Sequence, residues 1–259
     1  MTGVRPFQGQ VVLVTGGGRG IGAAIAKAFA AEGASVVVNY LRNHEAAQAV
    51  AQQCQQSGGD VLAVQANVCE RSQVQALVAQ TLREFGRIDA VVNNAFAPYV
   101  FDPEQRKTFD ALDFSHYQTQ FDGAVRATFE VCQAVLPHFK QRGSGSIINM
   151  ASDLVVRPSV AYHDYATAKS ALVGYSRNLA AELGSFNIRV NCVAPGLVYP
   201  TEASRATKED VKQLIASQTP LRRIATPEDV AGPVLFLASP WSRFVTGQVL
   251  YVDGGWVMD

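Results

Sequence analysis

A phenol and an ammonium group stand four residues apart at Tyr165 and Lys169, inside the helix-forming stretch DYATAKSAL of residues 164–172. That spacing is one helical turn, so both side chains share a helix face. Such a pair can move a proton. It can equally be two ordinary residues on a helix surface, because a Tyr/Lys pair at this spacing arises readily by chance. Its meaning depends on what the rest of the chain places around it.

Short apolar runs recur at Val11–Val14, Ser35–Val38, Val61–Val64, Ala90–Val92, Ile147–Met150, Val190–Val193 and Val249–Val252. Most are continuous rather than alternating, the mark of strands buried on both faces of a parallel sheet. Helical periods lie between them: Ile21, Ile25 and Phe29 keep one face, as do Val74, Leu77, Val78 and Leu82. Ala124 to Pro137 reads as one helix interior. Alternation of this kind predicts an α/β fold, a single Rossmann-type domain over residues 1–259 with a doubly wound seven-stranded parallel sheet and helices on both faces. No linker, repeat or low-complexity tract divides it. Ligands of such sheets bind beyond the C-terminal strand ends. The less regular pieces Phe96–Asp113 and Leu197–Ser217 both follow strands, so they are candidate walls, with a substrate loop at 197–217.

Composition narrows the classes further. The residues are 48% apolar, enough for a large core, and the net charge is zero, which argues against nucleic acid or an acidic membrane as the main partner. The four cysteines form no CxxC pair, so reduced buried thiols are expected rather than a disulfide framework or a zinc site. The start MTGVRPFQGQVVLVTGG has no leader pattern and no apolar run reaches membrane-spanning length, so a cytoplasmic protein is expected.

After the first strand comes TGGGRGIGAAIAKAF, with Gly16, Gly17, Gly18, Gly20 and Gly22 within seven residues. Glycines let a backbone turn tightly and approach a pyrophosphate, and the helix that follows offers its N–H groups and positive dipole end. The plain alternative is a glycine-rich strand-to-helix turn; the dinucleotide reading is preferred. An NAD site commonly carries Asp or Glu near the end of the second strand. This strand ends at Asn39, then Tyr40, with no carboxylate and with Arg42 just beyond. Arg19 lies in the loop itself. Two guanidiniums suit a 2′-phosphate. NADP(H) is therefore preferred, with NAD(H) possible and with solvated arginines as the plainer reading.

Seven segments in order then resemble the short-chain dehydrogenase/reductase family: VTGGGRGIG, the NNA of Asn93–Ala95, IINMAS ending at Ser152, Tyr165-x-x-x-Lys169, NCVAPG at 191–196, TPEDVAGPVLFLAS from Thr226, and VTGQVLYVDGG at 245–255. The NY after the second strand and the DGG ending are similar to the 3-oxoacyl-acyl-carrier-protein reductase type. The resemblance implies that Tyr165 donates a proton, that Lys169 assists it and holds the nicotinamide ribose, and that Ser152 polarises the substrate oxygen. The chemistry agrees. Reduction needs a hydride from nicotinamide C4 and a proton for the developing alkoxide. A cationic lysine lowers a phenol pKa that is ordinarily about 10, and an oriented hydroxyl stabilises oxyanion character. The resemblance also implies cofactor contacts at Gly16, Gly18, Arg19, Gly20, Ile21, Gly22, Asn39, Tyr40, Arg42, Asn67, Val68, Asn94, Ala95, Tyr165, Lys169, Pro195 and Gly196. For Asn67 a turn role is an equal alternative. Thr201 is a looser candidate for the carboxamide.

Two departures stand out. Phe96 replaces the glycine that completes Asn-Asn-Ala-Gly in the family, and a bulky ring does not take φ > 0 cheaply. Ala124 stands where an asparagine usually holds a relay water. Tyr162 and His163 read as wall or surface residues; His44, His116 and His138 show no metal spacing. Arg222 and Arg223 read as a solvated pair before the capping TPED. The resemblance implies that the apolar C-terminal end packs against another subunit, giving a homotetramer or homodimer, unless the tail folds over its own sheet. The expected activity is NADPH-dependent reduction of a 3-oxoacyl thioester or similar ketone, small or carrier-bound. An alcohol or sugar dehydrogenase of the same family, and a weakly catalytic dinucleotide-binding sensor or subunit, are the alternatives.

Overall fold

The computed structural model describes residues 5–258. Valine-rich runs become strands because β-branched side chains pack well on a pleated surface. The strands are β1 (Val11–Val14), β2 (Ser35–Tyr40), β3 (Val61–Gln65), β4 (Ala90–Asn93), β5 (Gly145–Met150), β6 (Ile188–Pro195) and β7 (Val249–Val252). All seven pair in parallel, in the order β3-β2-β1-β4-β5-β6-β7. Each expected run is a strand, several of them a residue or two longer than the apolar run.

The α-helices are α1 (Gly20–Ala31), α2 (His44–Gln56), α3 (Arg71–Phe85), α4 (Phe114–Phe121), α5 (Ala127–Arg142), α6 (His163–Leu183), α7 (Glu209–Gln218) and α8 (Pro227–Ala238). Alternate strand residues feed two cores, which is why the runs are continuous. Val12, Val14, Val36 and Val38 pack with Ile25 and Phe29 of α1 and Val234 of α8. Val11, Leu13, Val91 and Ile147 pack with Leu77 of α3 and Phe139 of α5. Each fully buried Leu, Ile or Phe contributes about 1.5–3 kcal/mol over leaving it exposed.

Two pieces differ from the sequence expectation. The helix expected at Ala124–Pro137 belongs to a longer rod, in which a π-helical segment, Asp122–Arg126, joins α4 to α5 and Pro137 lies inside α5. The wide turn accommodates a neighbouring loop: a Cβ on Gly123 would come within 2.4 Å of Ala97 N. The substrate loop at 197–217 contains most of α7, whose residues are none of them buried. Its apolar residues Val211, Leu214 and Ile215 make a stripe of little more than one turn, too short to announce a helix.

At the N-terminal ends of the strands Asp89 anchors the sheet. It accepts from Val11 N–H at 2.8 Å and pairs with Arg87 at 2.6 Å and Arg142 at 2.9 Å. Burial alone would raise this carboxyl, but hydrogen bonds from Arg87 and Val11 and the charge of Arg142 hold it below the ordinary range.

Candidate active site

The opposite end of the sheet holds the loops that sequence reasoning singled out. β1 and β4 are neighbours there, and the chain leaves them in opposite directions across the sheet, the place where such folds open a crevice. Thr15, at the end of β1, ties the two together: its hydroxyl oxygen accepts from the N–H groups of Asn94 and Ala95, each at 3.0 Å. Asn94 Nδ2 donates to Thr15 O at 3.0 Å and Gly16 O at 3.2 Å.

The glycine loop is shaped by close approach. Gly16 and Gly20 have φ of +61° and +52°, a region that disfavours side chains. A Cβ on Gly22 would lie 2.3 Å from Gly16 O. Asn39 braces the loop from beneath: it is buried, accepts from Gly16 N–H at 3.3 Å and donates to Ala66 O at 3.0 Å. Tyr40 is buried as well, its hydroxyl 2.6 Å from His44 Nδ1. Helix α1 begins at Gly20 with no side-chain cap and no acidic residue in its first turn. An uncapped, uncharged helix start bounded by glycines fits a pyrophosphate. Arg19 and Arg42 are both exposed beside this loop, and neither forms an ion pair among the described residues. Thr201 lies over Gly20, its side chain 3.8 Å from where a Cβ there would stand.

Tyr165 and Lys169 lie in the first two turns of α6, both buried, and Ser152 follows β5, also buried. A polar chain through the core sets their register. Asn93 Nδ2 donates to Asn149 Oδ1 at 2.8 Å, Asn149 Nδ2 to Ser176 Oγ at 2.8 Å, and Ser176 Oγ to Leu172 O at 2.7 Å. β4, β5 and α6 are thereby pinned to one another. Lys169 Nζ donates to Met150 O at 2.6 Å and lies 5.7 Å from the centre of the Tyr165 ring. Burial pushes this ammonium down to about 8.

The Tyr165 phenol departs from expectation. Burial raises it well above the usual tyrosine range; a hydrogen bond from Ser152 opposes this and the Asp153 carboxyl adds to it. In this structure desolvation outweighs the lowering expected from Lys169. Tyr165 therefore keeps its proton through the neutral range.

Aromatic rings close over the pair. The Tyr99 and Phe101 rings lie 5.0 Å and 5.1 Å from the Tyr165 ring, and Phe96 lies 6.2 Å away. Tyr162 packs on Tyr99 at 5.7 Å, which makes it a wall residue. The Tyr99 hydroxyl donates to Asp164 Oδ1 at 3.0 Å, so the segment is held as well as stacked. Its backbone joins the substrate loop, with Phe101 N–H donating to Ala203 O at 2.9 Å.

A model of the enoyl-(acyl carrier protein) reductase family matches residues 16–257. A 3-oxoacyl-(acyl-carrier-protein) reductase of Chlamydia trachomatis is 38% identical over 251 residues, spanning 95% of this chain and 96% of that protein. Among solved structures, a variant of a Serratia marcescens short-chain dehydrogenase/reductase superposes with a TM-score of 0.86 at 35% identity, over 97% of this chain and 99% of that one. The chain belongs to the short-chain dehydrogenase/reductase family. It is an NAD(P)-dependent oxidoreductase. A further family structure, a 7α-hydroxysteroid dehydrogenase solved with NADH and 7-oxo glycochenodeoxycholic acid, superposes with a TM-score of 0.89 at 32% identity, over 99% of this chain and 97% of that one.

The remaining expected positions of this short-chain dehydrogenase/reductase lie as follows. Ile21 and Gly18 belong to the glycine loop and helix start, and Val68 is buried behind Asn67. Asn67 Oδ1 accepts from Cys69 N–H at 3.0 Å, so its turn role is present in the structure. Pro195 ends β6, and Gly196 N–H donates to Val252 O at 3.2 Å. Phe96 keeps φ negative, so the residue that departs from the family pattern carries no backbone strain. Ala124 is buried in the π-helical segment, and its methyl offers a water nothing to bond. Arg223 is bound to Asp229 at 2.7 Å and Arg222 to Ser217 O. Thr226 and Asp229 form the expected capping box. The tail folds back in part: Trp256 is buried beneath the Arg157 guanidinium, 4.0 Å from its ring. Met1–Val4 and Asp259 lie outside the described residues.

Sequence reasoning missed Tyr99, Phe101, Asp153, Asn149 and Ser176. For Asn149 the signal was there, an asparagine inside the apolar run IINM. The others lie in segments without periodicity or on a helix face whose neighbours only the fold supplies.

Proposed function

We propose that this enzyme reduces a ketone with NADPH, a 3-oxoacyl thioester or a similar carbonyl. The observation that carries the reading is the convergence of buried Ser152, Tyr165 and Lys169 at the C-terminal end of β5 and the start of α6. A protonated phenol is the form a reduction consumes. The dinucleotide, when bound, supplies the hydride. Ser152 donates to the carbonyl oxygen, Tyr165 delivers the proton as the alkoxide forms, and Lys169 holds ribose hydroxyls beside them. Exposed, unpaired Arg19 and Arg42 support the 2′-phosphate and hence NADPH. The test is a fluorescence titration with NADPH and NADH, followed by NADPH consumption with acetoacetyl thioesters and bulkier ketones. Tighter NADH binding overturns the cofactor assignment; no turnover of any carbonyl overturns the reductase.

The aromatic wall of Tyr99, Phe101 and Tyr162 favours a second reading of the substrate, a bulky apolar ketone in place of a slender acyl chain. Alcohol oxidation by the same residues is the reverse of this reaction, with Tyr165 accepting the proton it would otherwise donate. The four cysteines are all free thiols, which suits a reducing cytoplasm. No described helix is long and apolar enough to cross a membrane. Exposed Phe114, Phe121 and Phe129 on the α4–α5 rod, and Trp241 and Phe244 near β7, support a homotetramer. Light scattering giving a monomer at micromolar concentration would exclude it.

A further inference from the structure

Asp153 is a buried carboxyl that the catalytic reading does not use, and it touches the residue on which that reading depends. It follows Ser152 directly, opens the short 3-10 turn Asp153–Val155, and is 7% exposed. The Ser152 hydroxyl donates to Asp153 Oδ1 at 3.2 Å and accepts from Leu154 N–H at 3.3 Å. A serine hydroxyl has a single proton. An ionised Asp153 takes that proton at Oδ1, and the Tyr165 phenol and a substrate oxygen compete with the carboxylate for it.

The surroundings make the Asp153 proton a matter of balance. Across from it, a Cβ on Gly196 would lie 3.3 Å from Asp153 Oδ2 and 3.0 Å from Asp253 Cβ, so the two aspartates flank one glycine. The Asp253 carboxylate accepts from Gly255 N–H at 3.0 Å and Val257 N–H at 2.8 Å. From α6 the Tyr165 phenol faces Asp153. Among the described residues no lysine or arginine forms an ion pair with it. With two carboxyls close together and one of them bound by N–H groups, the other takes the proton. Burial and the Asp253 charge, opposed by hydrogen bonds from Ser152 and from the backbone, raise Asp153 to about 7.

We propose that Asp153 is a positioning residue that sets the direction of the Ser152 proton. Protonated, its carboxyl donates to Ser152 Oγ and leaves the serine proton for the substrate oxygen. Ionised, it captures that proton, and Ser152 turns a lone pair toward the carbonyl instead. The enzyme thus loses an oxyanion donor as Asp153 ionises, a loss of the kind that lowers rate by about 10²–10³ when the donor is removed outright. The inference rests on the proposed role of Ser152.

The experiment is kcat/KM for ketone reduction from about pH 5.5 to about pH 9.5 in the wild type and in Asp153→Asn, Asp253→Asn and Ser152→Ala. The wild type should fall by about tenfold per pH unit above neutrality. In Asp153→Asn the amide N–H donates to Ser152 at every pH, so that limb disappears and the decline begins only where Lys169 loses its proton, at about 8. Asp253→Asn removes the like charge and moves the wild-type limb to lower pH. An Asp153→Asn enzyme with the wild-type profile overturns the proposal, as does an Asp253→Asn limb that stays put or rises. Should Asp153→Asn fail to fold, Asp253→Asn decides alone. Ser152→Ala turning over at the wild-type rate would overturn the assignment of Ser152 and this proposal with it. A slow Ser152→Ala beside an unaltered Asp153→Asn profile overturns this proposal only.

Discussion

Two largely buried aspartates, at opposite ends of one sheet, titrate in opposite directions. Asp89, just before β4, is met by two arginines and a backbone N–H and is held below the ordinary carboxylate range. Asp153, just after β5, is met by a hydroxyl and another carboxylate and is raised to about 7. Burial acts on both in the same sense; the neighbours decide the outcome. The N-terminal end of the strands compensates its charges and serves as a foundation. The C-terminal end leaves Asp153 and Lys169 without an opposite charge, which is the arrangement that lets groups change protonation near neutral pH.

The largest effect should come from that uncompensated end. Tyr165→Phe should lower kcat by about 10²–10⁴ while fluorescence titration shows cofactor affinity retained. Wild-type turnover in this variant would break the functional half of the comparison.

The two aspartates should then respond to neutralisation with opposite sign. Asp89→Asn should destabilise the fold by about 1.5–3 kcal/mol at neutral pH, read by urea unfolding, because hydrogen bonds to a charged group are lost. The folded pKa of Asp89 is depressed, so its contribution is present above the unfolded value of about 4 and is lost as pH falls through the folded value. The wild-type advantage over Asp89→Asn should therefore shrink on acidification. Asp153 is the reverse. Its folded pKa is raised, so ionisation opposes folding increasingly between about pH 4 and about pH 7. Asp153→Asn should be more stable than wild type at pH 8, by about 1–4 kcal/mol, with the difference fading toward pH 4. Equal signs for the two variants would refute the comparison.

A smaller effect tests the cofactor side. Arg42→Ala should weaken NADPH binding by about tenfold and leave NADH binding little altered, as expected for one guanidinium contact to a phosphate. The smallest belongs to the exposed pair Arg223–Asp229. Arg223→Ala should leave the midpoint in the same unfolding assay nearly unchanged, because solvent screens an exposed ion pair.

Legibility in the sequence followed how locally each feature is encoded. The seven strands could be read because each is a contiguous apolar run. The glycine loop could be read because close backbone approach excludes side chains at fixed positions; Gly22, whose Cβ would meet Gly16 O, is the clearest case. Helix α7 was hidden because its apolar stripe, Val211, Leu214 and Ile215, spans little more than one turn. The π-helical segment was hidden because its neighbour, the Ala97 backbone close against Gly123, lies on another loop. Asn39 was placed correctly along the chain, but its bonds to Gly16 N and Ala66 O show it bracing the loop from within.

By itself, then, the sequence determined the sheet, the glycine-bounded helix start and the Tyr165–Lys169 spacing, because periodicity, the missing Cβ and the helical turn are properties of neighbouring residues. The tertiary structure alone decided which ionisable groups would be buried together. Asp153 meets Asp253 across Gly196, and Tyr99 and Phe101 lie over Tyr165, only because β5, β6 and β7 end side by side. Protonation depends on burial and on charges brought from distant parts of the chain, and neither exists before the strands are aligned.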